Sequence, residues 1–249
     1  MLASGRGLDQ SAACRAPVCP SVSGLPPWND VPSRSFLSVF ICGYNEFMTD
    51  CERVRLFIAV AISEGVKAKI EAAQAELRRA LPERSARWAR REQFHLTLRF
   101  LGDVEAARVE ALEESIRTAS RGFGALPLRA ERIGFFPDLC YPRVVWVGVQ
   151  DQAEQLPRLQ QAVEVATAEF TTEAKEKQFT GHVTLARIKG IKRPEAAALG
   201  KVAAGMADRL FGQWTAYKLE LMRSELLPQG ARHSILASIA LADLPPDLA

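Results

Sequence analysis

The chain has 249 residues, a formal net charge of +3, 48% hydrophobic and 24% charged residues: enough for one large domain or two small lobes with a real core. The slightly basic balance permits an anionic partner without demanding one, and no apolar run approaches the roughly 18 residues that a membrane span needs. Five cysteines (Cys14, Cys19, Cys42, Cys51 and Cys140), an odd number without repeated Cys-x-x-Cys spacing, argue against a disulfide framework and a cysteine zinc site. A reducing, cytoplasmic setting and a monomer without membrane contact are the expectation.

Residues 1–47 are rich in Gly, Ser and Pro, hold three of the five cysteines and contain neither histidine nor lysine. No helical or strand period runs through them, and no basic start followed by an apolar stretch heads them. They read as a disordered extension, or as upstream translation if Met48 is the natural start.

From Val54 the pattern becomes regular. Leu56, Ile58, Val60 and Ile62 alternate with Phe57, Ala59 and Ala61 in a strand buried on both faces. Ser63 is placed to cap a helix whose stripe is Val66, Ile70, Ala73, Leu77 and Leu81, and Pro82 ends it. A strand with His95 follows, closed by Gly102. Asp103 is placed to cap a second helix with Val109, Leu112 and Ile116 facing inward. Strands are expected over 127–136 and 143–149, then a helix carrying Leu156, Leu159, Val163, Ala166 and Phe170. A strand with His182 comes next, then a helix opened by Pro194 and running to about Leu210. Strands over 214–221 and 234–241 end the pattern.

Two stretches repeat. Phe94-His95-Leu96-Thr97-Leu98-Arg99-Phe100 and Gly181-His182-Val183-Thr184-Leu185-Ala186-Arg187 each hold His-aliphatic-Thr-Leu, and the histidines stand 87 positions apart in a chain with only three. The same offset carries the strand at 143–149 onto 56–62, the helix at 153–170 onto 66–83, the helix at 194–210 onto 107–123 and the strand at 214–221 onto 127–134. The chain is therefore a duplication, two lobes of strand-helix-strand-helix-strand type, each supplying one His-x-Thr strand.

In a strand, residues i and i+2 share a face, so His95 projects with Thr97 and His182 with Thr184. Two such strands facing each other across a cleft suit in-line displacement at phosphorus. One imidazole takes a proton from water and the other gives one to the leaving oxygen, a task that a pKa near 6.5 allows. The threonine hydroxyls donate to the non-bridging oxygens. No carboxylate cluster is offered to a metal, so no metal and no cofactor are expected. His-x-Thr alone is common by chance, and a single copy more often marks a structural histidine. Matched copies in a duplicated frame favour function.

These landmarks carry a resemblance. Arg55-Leu56-Phe57-Ile58-Ala59, Trp88 before the first motif, Phe100-Leu101-Gly102, Arg143-Val144-Val145-Trp146, both motifs, Ser224-Glu225-Leu226 and Gly230-Ala231-Arg232 together resemble the two-histidine phosphoesterase superfamily. Within it, residues 54 to about 241 look like the RNA 2′,3′-cyclic phosphodiesterases, once called 2′-5′ RNA ligases. The resemblance implies an α+β fold of two lobes, with antiparallel sheets lining a central cleft and helices outside. It implies metal-free opening of a 2′,3′-cyclic phosphate on RNA to a 2′-phosphate, with His95 as proton donor, His182 as proton acceptor, and Thr97 and Thr184 as phosphate ligands. Reversible 2′-5′ ligation and a non-catalytic RNA-end binder are the alternatives.

Arg187 matches a substrate-contacting arginine of relatives, yet i+5 from His182 has the wrong parity for the shared face. It reaches the cleft only if the strand ends or bulges near Ala186. Phe57 faces either an unpaired base or the core. His233, where relatives usually have tyrosine, reads as a structural or rim residue. Six arginines between Arg78 and Arg91 form either an RNA-steering rim or a solvated helix end and loop.

Overall fold

The computed structural model describes residues 52–175, 178–228 and 230–241. The expectations for residues 1–47 lie outside the described residues. Among the described residues, four α-helices and nine strands form in the order β1 (Arg53–Ala61), α1 (Glu64–Arg79), β2 (Ala86–Trp88), β3 (His95–Glu105), α2 (Val109–Ser120), β4 (Leu126–Phe136), β5 (Val144–Asp151), α3 (Gln155–Ala166), β6 (His182–Ile188), α4 (Arg193–Ala204), β7 (Leu210–Ala216), β8 (Lys218–Leu227) and β9 (Gly230–Ala240). None of these helices is long and apolar enough to cross a membrane.

The strands make two antiparallel sheets, ordered β3-β1-β8-β9 and β2-β6-β5-β4-β7. These are the two lobes, but each lobe is not one repeat. The third strand of the first repeat, β4, pairs with β5 in the second sheet, while β8 pairs with β1 in the first. The helices cross as well: α1 packs on β7 and α4, whereas α3 packs on β3 and α2. One apolar cluster consequently runs through both lobes, from Leu56, Ile58 and Val60 of β1 to Val145, Val147 and Val149 of β5. Phe57, Ala59 and Met222 form a separate cluster, on the opposite face of the first sheet.

Several boundaries differ from the sequence reading, each for a local reason. Gly102 does not close the first motif strand. It adopts φ +66° where the β1–β3 ladder slips, a backbone shape that a side chain would strain, and the strand continues to Glu105. Asp103 therefore lies in the strand, and α2 starts at Val109 after a short 3-10 turn. Ser63 occupies the N-cap of α1 without a side-chain hydrogen bond. At α3 the Asp151 carboxylate does the capping, accepting from the Gln155 and Leu156 amides at 2.6 and 3.0 Å. The last helix stops at Ala204, and the expected strand over 214–221 is two strands joined at Tyr217.

One buried ion pair ties the repeats together. Arg99 of β3 and Glu164 of α3 stand 3.7 Å apart, with side chains only 3% and 5% exposed. Arg99 also donates to the Ala174 and Glu173 carbonyls at 3.0 Å each, fixing the start of the segment that leads to β6. Gln160 donates to the Glu164 carboxylate at 2.8 Å. Removing one partner leaves the other charge buried and unpaired. Arg99→Met is expected to cost about 3–5 kcal/mol in urea unfolding, and Arg99→Met/Glu164→Leu clearly less than that.

Candidate active site

The His-x-Thr strands are built alike. Leu96 and Leu98 are buried in the core, as are Val183 and Leu185, and the alternation turns His95, Thr97, His182 and Thr184 the other way, largely but not fully buried. In β3 the ladder runs Ala59↔Thr97 and then Ile58↔Arg99, leaving Leu98 without a partner. In β6 it runs Trp146↔Thr184 and then Val145↔Ala186, leaving Leu185 without one. The two bulges are 87 positions apart, like the histidines. Each reverses the parity of the residues after it, so that Phe100 and Arg187 join the face of the histidine and threonine before them. This is the slip that Arg187 requires. It is held in place at the bulge itself, where the Leu185 carbonyl accepts from the Ala89 amide at 2.8 Å and from Gln74 Nε2 at 3.0 Å.

Each imidazole is tied to the backbone two residues before it. His182 Nδ1 lies 2.7 Å from the Thr180 carbonyl, which can only accept, so Nδ1 carries the proton and Nε2 is left open. The Gln93 backbone stands in the same relation to His95 and favours its charged form. The surroundings differ. The His182 ring meets Phe136 edge-on at 5.0 Å and Trp146 at 6.0 Å. The His95 ring rests on Phe57 at 4.8 Å and meets His233 edge-on at 5.4 Å. His182 also acts electrostatically on His95 from the facing strand.

Three placements bear on readings that the sequence left open. Phe57 is only 2% exposed, closed over by His95, His233 and Phe100, so it forms a floor under the imidazole and offers no face to a base. The exposed aromatic on that wall is Phe100, at 48%. His233 reaches the cleft beside His95, and its buried Nδ1 has no hydrogen-bond partner. Its place follows from the crossed strand: Ser224↔His233 and Phe57↔Met222 put β9 beside β8 and β8 beside β1, and a repeat-by-repeat reading does not contain those pairings. Of the six arginines, Arg91 is taken up by Glu64 at 2.9 Å and Glu71 at 3.5 Å.

Among the described residues no group of three or more His, Cys, Asp or Glu is placed to hold a metal. A groove of about 1080 Å³ runs between α2 and α3, and none of the cleft residues lines it.

Burial holds the His95 pKa down to about 4, with the His233 ring the next cause and His182 and Lys67 adding to it. Burial disfavours the imidazolium and a neighbouring cation does so too, hence both act in one direction. His95 is thus neutral at pH 7 in the free protein and charges only as the pH falls towards 4. In an NMR titration its ring protons should move with a midpoint near 4, and His233→Ala should shift that midpoint upwards, because it both admits water and removes the like charge.

The likeness to known proteins falls on these same strands. The family described as LigT like Phosphoesterase matches the chain twice, over residues 60–146 and 147–233, the second match beginning 87 positions after the first. The RNA 2′,3′-cyclic phosphodiesterase of Methanothermobacter thermautotrophicus is 28% identical over 178 residues, 72% of this chain and 94% of that protein. The protein of the same name from Thermus thermophilus is 31% identical over 198 residues, 76% of this chain and 90% of that one. A crystal structure of a T. thermophilus protein superposes with a TM-score of 0.61 at 29% identity, covering 75% of this chain and 97% of that chain. Escherichia coli LigT, solved with 3′-AMP, shares the fold with a TM-score of 0.61 at 22% identity, covering 77% and 100%. A match that spans both halves of the duplication leaves one assignment: the chain belongs to the LigT-like phosphoesterase family.

Proposed function

We propose that this chain hydrolyses the 2′,3′-cyclic phosphate end of RNA to a 2′-phosphate, without a metal, by general acid-base catalysis between His95 and His182. The observation that carries the reading is the matched pair of imidazoles, each tied to the backbone two residues upstream and each sharing its face with a threonine. The relatives named above act, by their names, on the same cyclic phosphate.

The roles follow from the two environments. His182, with Nδ1–H held by Thr180 and Nε2 open, accepts the proton of the attacking water. A new bond forms from that water oxygen to phosphorus, and the bond from phosphorus to the 3′ oxygen breaks on the opposite side. His95 donates its proton to the departing 3′ oxygen. In the free protein His95 is neutral, but the bound phosphate carries the negative charge that favours its imidazolium, so the acid is charged when substrate arrives. Thr97 and Thr184 hydroxyls hold the non-bridging oxygens. Phe100, exposed on the first wall, supplies the face for the terminal base that Phe57 does not.

The test is hydrolysis of a 2′,3′-cyclic nucleotide in the presence of EDTA. Turnover should survive the chelator and yield only the 2′-phosphate. His95→Ala and His182→Ala should each lower kcat by about 10² to 10⁴ while leaving the thermal transition in place. Undiminished activity in either folded variant would refute the acid-base assignment, and loss of turnover with EDTA would refute the metal-free reading.

A further inference from the structure

We propose that Gln93 is the positioning residue of the acid wall: its backbone carbonyl seats the His95 ring, and its side-chain amide draws β9 inwards, so that His233 is held against that ring. The functional meaning of this clamp rests on the proposed acid-base reading; its geometry does not.

β3 and β9 are the two outer strands of the first sheet. His95 pairs with Ala61 at the end of β1, whereas His233 pairs with Ser224, beyond the Leu56↔Arg223 pair near the start of β1. The two histidines thus start from diagonally opposite corners of the sheet. Their rings nevertheless meet edge-on at 5.4 Å, because the sheet coils until those corners come together. Where they meet, Gln93 Nε2 donates to the Ala231 carbonyl at 2.6 Å. Gln93 stands two residues before His95, and Ala231 two residues before His233.

Both ends of the Gln93 amide are committed. Its Oε1 accepts from the Arg90 amide at 3.0 Å, closing the 3-10 turn Arg91–Gln93 that leads into β3 and fixing where Nε2 points. The Gln93 main chain holds the His95 ring. One residue therefore carries bonds to the turn, to His95 and to β9. His233 has no such hold of its own. Among the described residues its buried Nδ1 lacks a hydrogen-bond partner, and its ring packs edge-on against Phe57 at 5.0 Å and against His95. Its place depends on where β9 runs, and the Gln93 bond fixes that. The offset of 87 puts Thr180 in the corresponding place of the second repeat. Its carbonyl holds His182, but its short side chain makes no bridge of this kind among the described residues. The clamp belongs to one wall only.

The charge-capable groups acting on His95 come from three elements. His233 approaches from β9, His182 from β6 and Lys67 from α1, and Lys67 is paired with Glu64 at 2.9 Å. The rings of Phe57 in β1 and Phe100 in β3 are neutral. Next to His233 in sequence, Arg232 is taken up by Glu225 at 2.7 Å. His233 is thus the neighbour that the clamp controls, and it both covers the His95 ring and adds like charge. Both effects disfavour the imidazolium, so releasing β9 raises the His95 pKa from about 4. A His95 that charges before substrate arrives loses the link between anion binding and acid formation.

The experiment is a double-mutant cycle read by NMR, with the His95 ring-proton midpoint in the folded protein as the measured quantity. Gln93→Leu, which has no hydrogen-bonding group, should move the midpoint upwards by about one pH unit. In the His233→Ala background the same substitution should add almost nothing, because its effect passes through His233. Gln93→Glu keeps the acceptor for the Arg90 amide and lacks only the donor to Ala231. Comparing it with and without His233 subtracts the effect of the new carboxylate, and the remainder should match that of Gln93→Leu. An unmoved midpoint in Gln93→Leu, or an equal shift with and without His233, would overturn the proposal. On a 2′,3′-cyclic nucleotide, the limb of the kcat/KM pH profile that reports the acid should move together with the midpoint. A limb that stays in place while the midpoint moves, or a chain without turnover, counts against the proposed function, and the NMR cycle still decides on Gln93.

Discussion

Leu98 of β3 and Leu185 of β6 have no partner in the β1 and β5 ladders, and the slip at each reverses the alternation of faces for the residues just beyond it. Without it, a regular strand would turn Phe100 and Arg187 into the core, where Leu96, Leu98, Val183 and Leu185 already sit. With it, a single strand presents three side chains of different chemistry to one cleft. These are an imidazole, a hydroxyl two residues on, and an aromatic ring or guanidinium three residues beyond that. The core tolerates the irregularity because the bulge is braced from outside. Gln74 of α1 reaches the Leu185 carbonyl, and Ala89 adds a backbone bond to the same oxygen. The helix that braces the second motif strand thus comes from the first repeat.

That exchange is general in the fold. A duplicated sequence can fold as two separate lobes, which move independently unless their interface is large. Here β4 and β8 trade places, α1 and α3 cross to the opposite sheet, and a continuous apolar cluster runs through both. Polar contacts between the repeats take the same course: Trp214 Nε1 to the Ala61 carbonyl at 3.0 Å, Gln93 Nε2 to the Ala231 carbonyl at 2.6 Å, and the buried Arg99–Glu164 pair. In-line chemistry needs an acid and a base at a fixed distance on opposite sides of phosphorus. Interleaving supplies that rigidity where a hinge between two repeats would not.

Periodicity made the repeating parts of this legible. The offset of 87 between His95 and His182 recovered the helices, the strand pairs and the relation of the two motifs, because each repeat carries its own complete alternation. The parity conflict at Arg187 even required a bulge, and the ladder has one. What periodicity could not convey is pairing between repeats. The placement of His233 beside His95 depends on β8 lying against β1, a long-range choice made by the sheet as a whole. Burial of Phe57 comes from the same neighbours, since three side chains from β3 and β9 close over a ring whose own strand looks two-faced. Gly102 and Asp103 failed as stop signals for a different reason. A glycine at positive φ serves a bulge as well as a strand end, and an aspartate in a strand on the solvent side looks like a cap until the ladder is known. Three-residue β2 is too short to show a period at all.

The proposed function draws on the asymmetry of the two walls. Identical copies would give two imidazoles of equal basicity, and neither would be poised as acid against the other. The two rings instead lie on different supports, His182 among Phe136 and Trp146 with its tautomer fixed by Thr180, His95 on Phe57 with a second imidazole at its edge. Burial lowers the His95 pKa, and His233 contributes a charge-capable neighbour that lowers it further. In the proposed mechanism, a ring that resists protonation in the empty cleft and accepts it beside an anion couples acid formation to substrate binding, while the ring across from it presents its Nε2 to the water. The same asymmetry continues outward along the strands, to Phe100 on one side and Arg187 on the other. The chemical gradient across the cleft, from aromatic to cationic, therefore has the same direction as the difference between its two histidines.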